Sequence, residues 1–201
     1  MQGLFALAVG YLLGSVPFGM ILTRLTGAGD LRAIGSGSTG ATNVLRTGRK
    51  DLAAATLLLD GAKGFLAVWL AWRLWPEFAG LAALGAVLGH CFPVWLRFNG
   101  GKGVATTFGV ALGLGWQLGC AYALVWLGVL ALTRTSSLAG MSAALCAPVA
   151  AWLLGYTALV PVLAAIALLV IWLHRANIAR LRAGTEPRVG ASARGDAGAG
   201  E

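Results

Sequence analysis

Charge is the first thing that this sequence has little of. Only 11% of its 201 residues are charged, whereas 58% are hydrophobic. A soluble globular domain carries about 25% charged residues, so this composition cannot build a water-facing surface. The length fits one bundle, and we predict a single membrane-embedded domain over residues 1–183. Residues 184–201 are rich in Gly, Ala and Arg, which predicts a flexible tail.

Cysteine and histidine are also scarce. Cys91, Cys120 and Cys146 lie far apart in apolar stretches, and only two histidines occur. No CxxC pair or ligand cluster results, so we expect no disulfide, no metal and no cofactor. No basic residue precedes the first apolar stretch, which is therefore interpreted as an uncleaved first span rather than a signal peptide.

Long apolar segments make up most of the chain. Residues 104–133 and 136–173 contain no charge over 30 and 38 positions. Since about 20 residues cross a membrane core, residues 136–173 must form two helices, with a break near Gly155. Residues 104–133 are expected to turn between Gly115 and Gly119. Whether they make two full spans or a re-entrant pair stays open.

Basic residues indicate the side on which each loop lies. Thirteen of the 15 Lys and Arg residues occur in residues 24–50, 97–102, 134 and 174–201. The positive-inside rule assigns these regions to the cytoplasm. All four share that side only if every intervening segment crosses twice. This predicts an all-α integral membrane protein with seven transmembrane helices, some of them short or re-entrant, the N-terminus outside and the C-terminus inside. Five helices remain possible if residues 104–133 dip in and return.

The first basic loop has the composition of a phosphate site. Glycines alternate with small hydroxylated residues, and glycine lets the backbone approach a ligand closely. Successive N–H groups can form an anion nest, and an arginine adds a fork suited to phosphate. A flexible solvated turn is the alternative, but a turn does not need so many donors. The candidates are Gly35, Ser36, Gly37, Gly40, Thr42, Asn43 and Arg46.

A second glycine-rich loop leads into an apolar segment. Gly100, Gly101, Lys102 and Gly103 precede Val104. Such a loop at a helix N-terminus binds anions through its N–H groups and the helix dipole. It is not a Walker A motif, because no Ser or Thr follows the lysine, and an ATPase is disfavoured. Two such loops on one face indicate two phosphorylated ligands, and the adjacent lipid indicates that one carries a chain.

Polar residues near the C-terminus carry a weaker signal. His174, Asn177 and Arg180 recur at helical spacing and share one face. An ordinary basic face at the membrane surface explains them equally well. Ser137 lies in a short loop on the same predicted side.

Two charges lie inside an apolar segment. Asp60 and Lys63 are three residues apart, and a charge within the membrane is costly. We interpret them as a structural pair that neutralises itself. His90 is interpreted as a hydrogen-bonding group near a helix end.

Taken in order, these motifs resemble one family. The chain resembles the bacterial acyl-phosphate:glycerol-3-phosphate acyltransferases of the PlsY type over about residues 11–186. Several unrelated motifs in the same order make the resemblance specific. They lie at residues 14–19, 35–46, 60–64, 89–93, 100–106, 137–138, 174–177 and 186.

The resemblance implies a reaction and a location. A fatty acyl group would pass from acyl phosphate to the sn-1 hydroxyl of glycerol 3-phosphate, giving lysophosphatidic acid and phosphate, the first step of phospholipid synthesis. The site would face the cytoplasm from the bacterial inner membrane. Acyl-CoA and acyl carrier protein would not be used directly. The sequence agrees in lacking an HxxxxD motif, because Trp95 and Ala179 stand five residues after the two histidines.

The resemblance also implies roles by position. Ser36, Thr42 and Asn43 would hold the acyl-phosphate head, and Glu186 would be structural. The glycerol phosphate and the reacting centre would be surrounded by Arg46, Lys102, Ser137, His174 and Asn177. The candidate catalytic residues are His174, Asn177, Ser36 and Arg46, and the loop glycines 35, 37, 40, 100, 101 and 103 are candidates for substrate binding.

Acyl phosphate is a mixed anhydride with a good leaving group, so the enzyme would need no nucleophile of its own. Positioning and charge stabilisation would then be its main contributions. The base is either His174 or a phosphate oxygen of the donor. We expect a monomer in membrane lipid with no nucleic acid partner. The alternatives are a CDP-alcohol phosphotransferase, which needs an aspartate-rich metal site, and an organic-phosphate transporter, which needs polar groups across the midplane.

Overall fold

The computed structural model describes residues 1–190, and within them the chain is helical with no strand. Short 3₁₀ turns join several of the helices. The α-helices in this part of the chain are α1 (Gln2–Gly14), α2 (Phe18–Leu25), α3 (Ala41–Val44), α4 (Lys50–Leu74), α5 (Ala79–Cys91), α6 (Val104–Leu114), α7 (Trp116–Thr133), α8 (Ser136–Leu153), α9 (Val160–Leu173) and α10 (Arg175–Arg182).

Both charge-free segments divide into two helices, as predicted. Residues 104–133 turn at Gly115, between α6 and α7. Residues 136–173 break beside Gly155, whose φ of +82° favours glycine. Within residues 1–190, five helical stretches are long and apolar enough to cross a membrane, and the bent pair α9–α10 would make a sixth. The α6 helix, with 11 residues, is shorter. The count of seven crossings and the orientation of the termini stay predictions.

Glycines let α1 and α5 pack backbone against backbone. A Cβ atom at Gly10 or Gly14 would collide with a carbonyl oxygen of α5, and one at Gly85 or Gly89 with a carbonyl oxygen of α1. Residue numbers rise together along this contact, so the two helices are parallel. Small residues at helix contacts are typical of membrane bundles, because dispersion and close approach replace the hydrophobic effect there.

A second parallel pair consists of α4 and α6. A Cβ atom at Gly61 would lie 3.6 Å from the carbonyl oxygen of Ala105, one at Gly109 would lie 3.0 Å from the backbone nitrogen of Phe65, and one at Gly113 would lie 2.9 Å from Val68 Cβ, so residue numbers rise together along this contact too. The α6 helix then turns back at Gly115 and packs antiparallel to α7, where the Tyr122 hydroxyl donates to the carbonyl oxygen of Val104 at 3.0 Å. Parallel pairing of α1 with α5 and of α4 with α6 is what alternating crossings require.

The core between the helices is built mainly from alanine and valine. Large apolar side chains instead cover the outer faces, as Leu58, Leu124 and Trp152 do. A bundle with a small-residue interior and a large-residue exterior is suited to lipid as its solvent. Within residues 1–190, the basic regions of the sequence meet at one end of this bundle. Three of them line a cleft there, and Arg134 lies beside it, hydrogen-bonded to Val189.

Candidate active site

The cleft at the basic end has a volume of about 730 Å³, which lies within the range of small-molecule sites. Most of its wall comes from four parts of the chain: the first loop, the second glycine loop with the start of α6, the start of α8, and the α9–α10 junction with the segment after α10. Residues of α4, α5 and α7 complete it. Of the residues predicted from sequence, Gly35, Ser36, Gly40, Thr42, Asn43, Arg46, Asp60, Lys102, Gly103, Ser137, His174, Asn177 and Glu186 line it.

Asn43 holds the first loop together from within. Its side-chain nitrogen donates to the carbonyl oxygens of Leu31 and Ser38, both at 2.9 Å, and its side-chain oxygen accepts from the N–H of Ser36 at 3.3 Å. The residue is buried. Because these bonds occupy its donors, Asn43 shapes the loop around the cleft.

Arg46 lies directly over Gly35. A Cβ atom at Gly35 would come within 2.7 Å of Arg46 Cδ and of Asn43 Oδ1, and the φ of Gly35 is +55°. Only glycine combines this backbone conformation with this contact at low cost. The loop therefore brings a guanidinium, Ser36 and the hydroxyl-bearing Thr42 to one wall of the cleft.

Lys102 reaches across the cleft to the C-terminal helix. Its ammonium group donates to the side-chain oxygen of Asn177, whose nitrogen donates to Glu186 at 2.6 Å. Burial lowers the pKa of Lys102, and the nearby Arg180 guanidinium lowers it further. A partly desolvated ammonium of this kind gains more from a phosphate dianion than an exposed one does.

Glu186 joins three parts of the wall. It accepts hydrogen bonds from Ser137 at 2.6 Å, from Asn177 at 2.6 Å and from the Arg180 guanidinium at 2.7 Å. Burial works against its charged form, but these three hydrogen bonds outweigh burial and hold the pKa of Glu186 below its usual value. Glu186 thus links α8, α10 and the segment after α10, and the structural role that the family resemblance implies for it stays a prediction.

His174 stands at the break between α9 and α10, whose axes differ by 58°. Its Nδ1 atom lies 2.8 Å from the carbonyl oxygen of Val170. A carbonyl can only accept, so the proton sits on Nδ1 and Nε2 is left as an acceptor. Burial is the main reason that the pKa of His174 falls to about 4. The imidazole is neutral at pH 7.

Three predicted binding glycines lie elsewhere. Among the described residues, Gly37, Gly100 and Gly101 are not part of the cleft wall. A Cβ atom at Gly100 would collide with the carbonyl oxygen of His90, and one at Gly101 with the His90 ring. Gly37, with a φ of +66°, turns the first loop beside the carbonyl oxygen of Arg32. These contacts are with protein, and a role in binding substrate stays a prediction.

The intramembrane charges form a buried cluster below the cleft. Lys63 lies 2.6 Å from Asp60 and also donates to the carbonyl oxygen of Val16 at 2.7 Å. His90 Nδ1 lies 3.7 Å from the same Asp60 oxygen. Both Asp60 and His90 reach the cleft wall, which sequence spacing did not indicate for His90.

An apolar patch of the wall was not predicted from the sequence. It consists of Leu57 from α4, Val104 and Ala105 from α6, and Trp126 from α7. Leu57 is exposed, and the next residue of α4, Leu58, lies on the outer face of the bundle, so the patch borders the lipid-facing surface of α4. Nothing distinguishes these residues from their apolar neighbours in the sequence.

The segment after α10 also borders the cleft. Pro187, Arg188, Val189 and Gly190 are part of its wall, and the N–H of Val189 donates to the carbonyl oxygen of Arg134 at 2.7 Å. The predicted flexible tail over 184–201 begins within this segment. Residues 191–201 lie outside the described residues, and the tail stays a prediction.

The sequence profile of the glycerol-3-phosphate acyltransferase family matches residues 4–184. The chain belongs to this family. Among curated relatives, the glycerol-3-phosphate acyltransferase of Novosphingobium aromaticivorans is 70% identical over 189 residues, 94% of this chain and 96% of the relative. That of Erythrobacter litoralis is 63% identical over 185 residues, 92% of this chain and 94% of the relative.

Solved structures agree with the family. The integral membrane glycerol 3-phosphate acyltransferase PlsY in its glycerol 3-phosphate form is 38% identical, with a TM-score of 0.89, and 94% of this chain and 96% of that one are covered. Its lysophosphatidic acid form is 36% identical, with a TM-score of 0.87 and the same coverage. The all-helical membrane fold and the glycerol-3-phosphate acyltransferase activity predicted from the sequence are therefore confirmed. The two alternative hypotheses, an organic-phosphate transporter and a CDP-alcohol phosphotransferase, are therefore not supported.

Proposed function

We propose that the acyl donor of this acyltransferase is an acyl phosphate and that the acceptor is the sn-1 hydroxyl of glycerol 3-phosphate. The observation that carries the proposal is a cleft that has a cationic group on each of its two glycine loops, Arg46 and Lys102, and an apolar patch at Leu57 and Trp126. Cations on two different loops fit two phosphates, and an apolar patch fits one acyl chain. The PlsY structures obtained with glycerol 3-phosphate and with lysophosphatidic acid support this pairing of ligands.

The two substrates divide the cleft between them. The donor phosphate binds the first loop through Arg46, Ser36 and Thr42, and its chain follows the apolar patch past Leu57. The acceptor phosphate binds Lys102 on the second glycine loop. Ser137 and Asn177 complete the acceptor side, with Glu186 holding both by hydrogen bonds.

The reaction is a direct acyl transfer. The acceptor hydroxyl oxygen attacks the acyl carbonyl carbon, the bond from that carbon to the phosphate oxygen breaks, and the products are lysophosphatidic acid and inorganic phosphate. Arg46 stabilises charge on the departing phosphate, and both loops hold the reactants in line. No enzymatic nucleophile takes part, because the donor is already activated. The Ser137 hydroxyl in any case donates to Glu186 and not to a histidine.

The hydroxyl proton passes to the departing phosphate. An efficient general base has a pKa near the working pH, whereas burial lowers the pKa of His174 to about 4. His174 instead accepts a hydrogen bond from the acceptor substrate through Nε2 and orients it. Its Nδ1–H bond to Val170 fixes the ring for this purpose.

The experiment supplies the purified protein in detergent with glycerol 3-phosphate and either palmitoyl phosphate or palmitoyl-CoA. Palmitoyl phosphate should give lysophosphatidic acid and an equal amount of phosphate, and NMR of the product should place the acyl group at sn-1. Turnover with palmitoyl-CoA and none with palmitoyl phosphate would overturn the donor assignment. Arg46→Met should raise the KM for palmitoyl phosphate more than that for glycerol 3-phosphate.

The cleft opens to the cytoplasm from the inner membrane, and the protein acts as a monomer. Gly48 lies beside the first loop and Gly155 at the opposite end, and both have open space around them. In a Cys120→Ser background, Gly155→Cys should react with an impermeant thiol reagent on intact cells, and Gly48→Cys only after permeabilisation. The reverse pattern would place the cleft outside. Mass photometry in nanodiscs tests the monomer.

A further inference from the structure

We propose that His90 is a positioning residue for the acceptor phosphate: its ring seats the glycine loop that carries Lys102, and the Asp60–Lys63 ion pair holds the ring from below. This inference rests on the proposed role of Lys102 in binding glycerol 3-phosphate. It also gives the intramembrane charges a function beyond neutralising each other.

The loop folds back onto the end of α5. The N–H of Gly100 donates to the carbonyl oxygen of Cys91 at 3.0 Å, and the N–H of Gly101 to that of His90 at 3.1 Å. A Cβ atom at Gly101 would collide with His90 Nε2 and lie 2.7 Å from Cε1. The backbone one residue before Lys102 therefore rests on the imidazole ring, and glycine is required there because the ring fills the space.

The other side of the ring faces a buried ion pair. His90 Nδ1 faces an Asp60 oxygen at 3.7 Å, and the same oxygen lies 2.6 Å from Lys63. Lys63 is in turn tied to the carbonyl oxygen of Val16. Asp60, Lys63 and His90 are each at most 5% exposed. Buried ionic groups are expensive to desolvate, and they are seldom kept for stability alone.

The result is one continuous set of contacts from the helices to the cleft. Lysine has a long side chain with many rotamers, so where its ammonium group lies depends on where its backbone is fixed. On the far side the ammonium group reaches Asn177. The contacts run in the order Val16, Lys63, Asp60, His90, Gly101, Lys102 and Asn177.

A double-mutant cycle on His90 and Gly101 tests the contact. Gly101→Ala should push the loop off the ring and raise the KM for glycerol 3-phosphate at least tenfold, with a smaller fall in kcat. His90→Ala should raise that KM several-fold, because the loop loses its support. The double variant should have a lower KM than Gly101→Ala alone, since the added methyl group enters the space left by the ring.

If the KM increase of the double variant equals the product of the two single increases, the residues act independently and the proposal is overturned. It is also overturned if the variants lower kcat and leave the KM for glycerol 3-phosphate unchanged. Only variants that keep the wild-type melting temperature are compared. If His90→Ala does not fold, His90→Asn, which keeps a polar group for Asp60 but shortens the side chain, takes its place in the same cycle. Gly128→Ala in α7, which meets no atom within 4 Å, is the matched control and should leave all constants unchanged.

Lys102→Met separates this inference from the function on which it rests. The variant should raise the KM for glycerol 3-phosphate more than tenfold. An unchanged KM would mean that the assigned role of Lys102 is wrong, and the inference would fall with it. If Lys102→Met raises the KM but the KM increases at His90 and Gly101 simply multiply in the double variant, the proposed function stands and only the role of His90 is overturned.

Discussion

The first glycine loop holds itself together, whereas the second is held by the helices beneath it. In the first, the amide of Asn43 binds the backbone of the same loop, and Gly35 makes room for Arg46. In the second, Gly100 and Gly101 lie against the end of α5 and make room for His90. Glycine therefore has two uses: in the first loop Gly35 leaves space for a side chain that lines the cleft, and in the second Gly100 and Gly101 allow the loop to pack on α5. Replacements at these positions can test that difference.

The largest effect is expected at Gly35. Gly35→Ala should lower kcat/KM at least a hundredfold, because the methyl group would displace Arg46 and strain a backbone with a φ of +55°. Activity and the melting temperature in detergent are the measurements. Gly27→Ala is the matched control, since Gly27 has a φ of +66° but nothing within 4 Å. Gly27→Ala introduces the same backbone strain without a steric contact. If it lowers kcat/KM as much as Gly35→Ala does, the contact with Arg46 is not the cause of the loss.

Asn43→Asp should lower kcat/KM by roughly ten- to a hundredfold, which corresponds to about 1.4–2.7 kcal/mol. The change keeps the shape of the side chain but removes both donors to Leu31 and Ser38 and points a charged oxygen at their carbonyl groups. The loss should appear for both substrates alike, because the whole loop is disturbed. A loss confined to the KM for acyl phosphate would instead mean that Asn43 binds the donor directly.

His174→Gln should lower kcat less than tenfold, since glutamine keeps a polar group beside the acceptor. General-base catalysis contributes about 10²- to 10⁴-fold, so a loss of that size would show that His174 takes the proton. The wild-type enzyme should also show no ionisation of His174 in kcat/KM between pH 5.5 and 8, because kcat/KM reports the free enzyme, in which burial lowers the pKa of His174 to about 4. If the wild-type pH profile shows an ionisation in that range and the His174→Gln profile does not, the expected low pKa of His174 is wrong.

The smallest effect is expected at Glu186 and concerns stability. Its pKa is lowered in the folded protein, so its ion pair and hydrogen bonds stabilise the fold above the unfolded pKa of about 4.3. That stabilisation is lost as the pH falls towards the folded pKa. The melting temperature should therefore drop on acidification below about pH 5, and Glu186→Gln should flatten the drop. An equally steep drop in the variant would exclude Glu186 as its source.

Much of this molecule follows from its sequence, and the limits have a physical cause. Charge-free runs and breaks at Gly115 and Gly155 are local properties, so the helices could be predicted. Basic residues indicated which loops meet. The packing of Gly101 on the His90 ring could not be predicted, because a glycine that packs against a side chain and a glycine that binds an anion look alike in sequence. The apolar patch with Trp126 was missed because cleft-facing and lipid-facing residues share one composition.

The close backbone packing of α1 against α5 has a consequence for evolution. At Gly10, Gly14, Gly85 and Gly89 any larger residue would meet a backbone oxygen of the opposing helix, and a backbone cannot rotate aside as a side chain can. A survey of tolerated substitutions across many descendants of this gene should therefore find these four positions nearly as restricted as the cleft, although none of them lines it. Invariance alone would be a poor guide to chemistry in this protein.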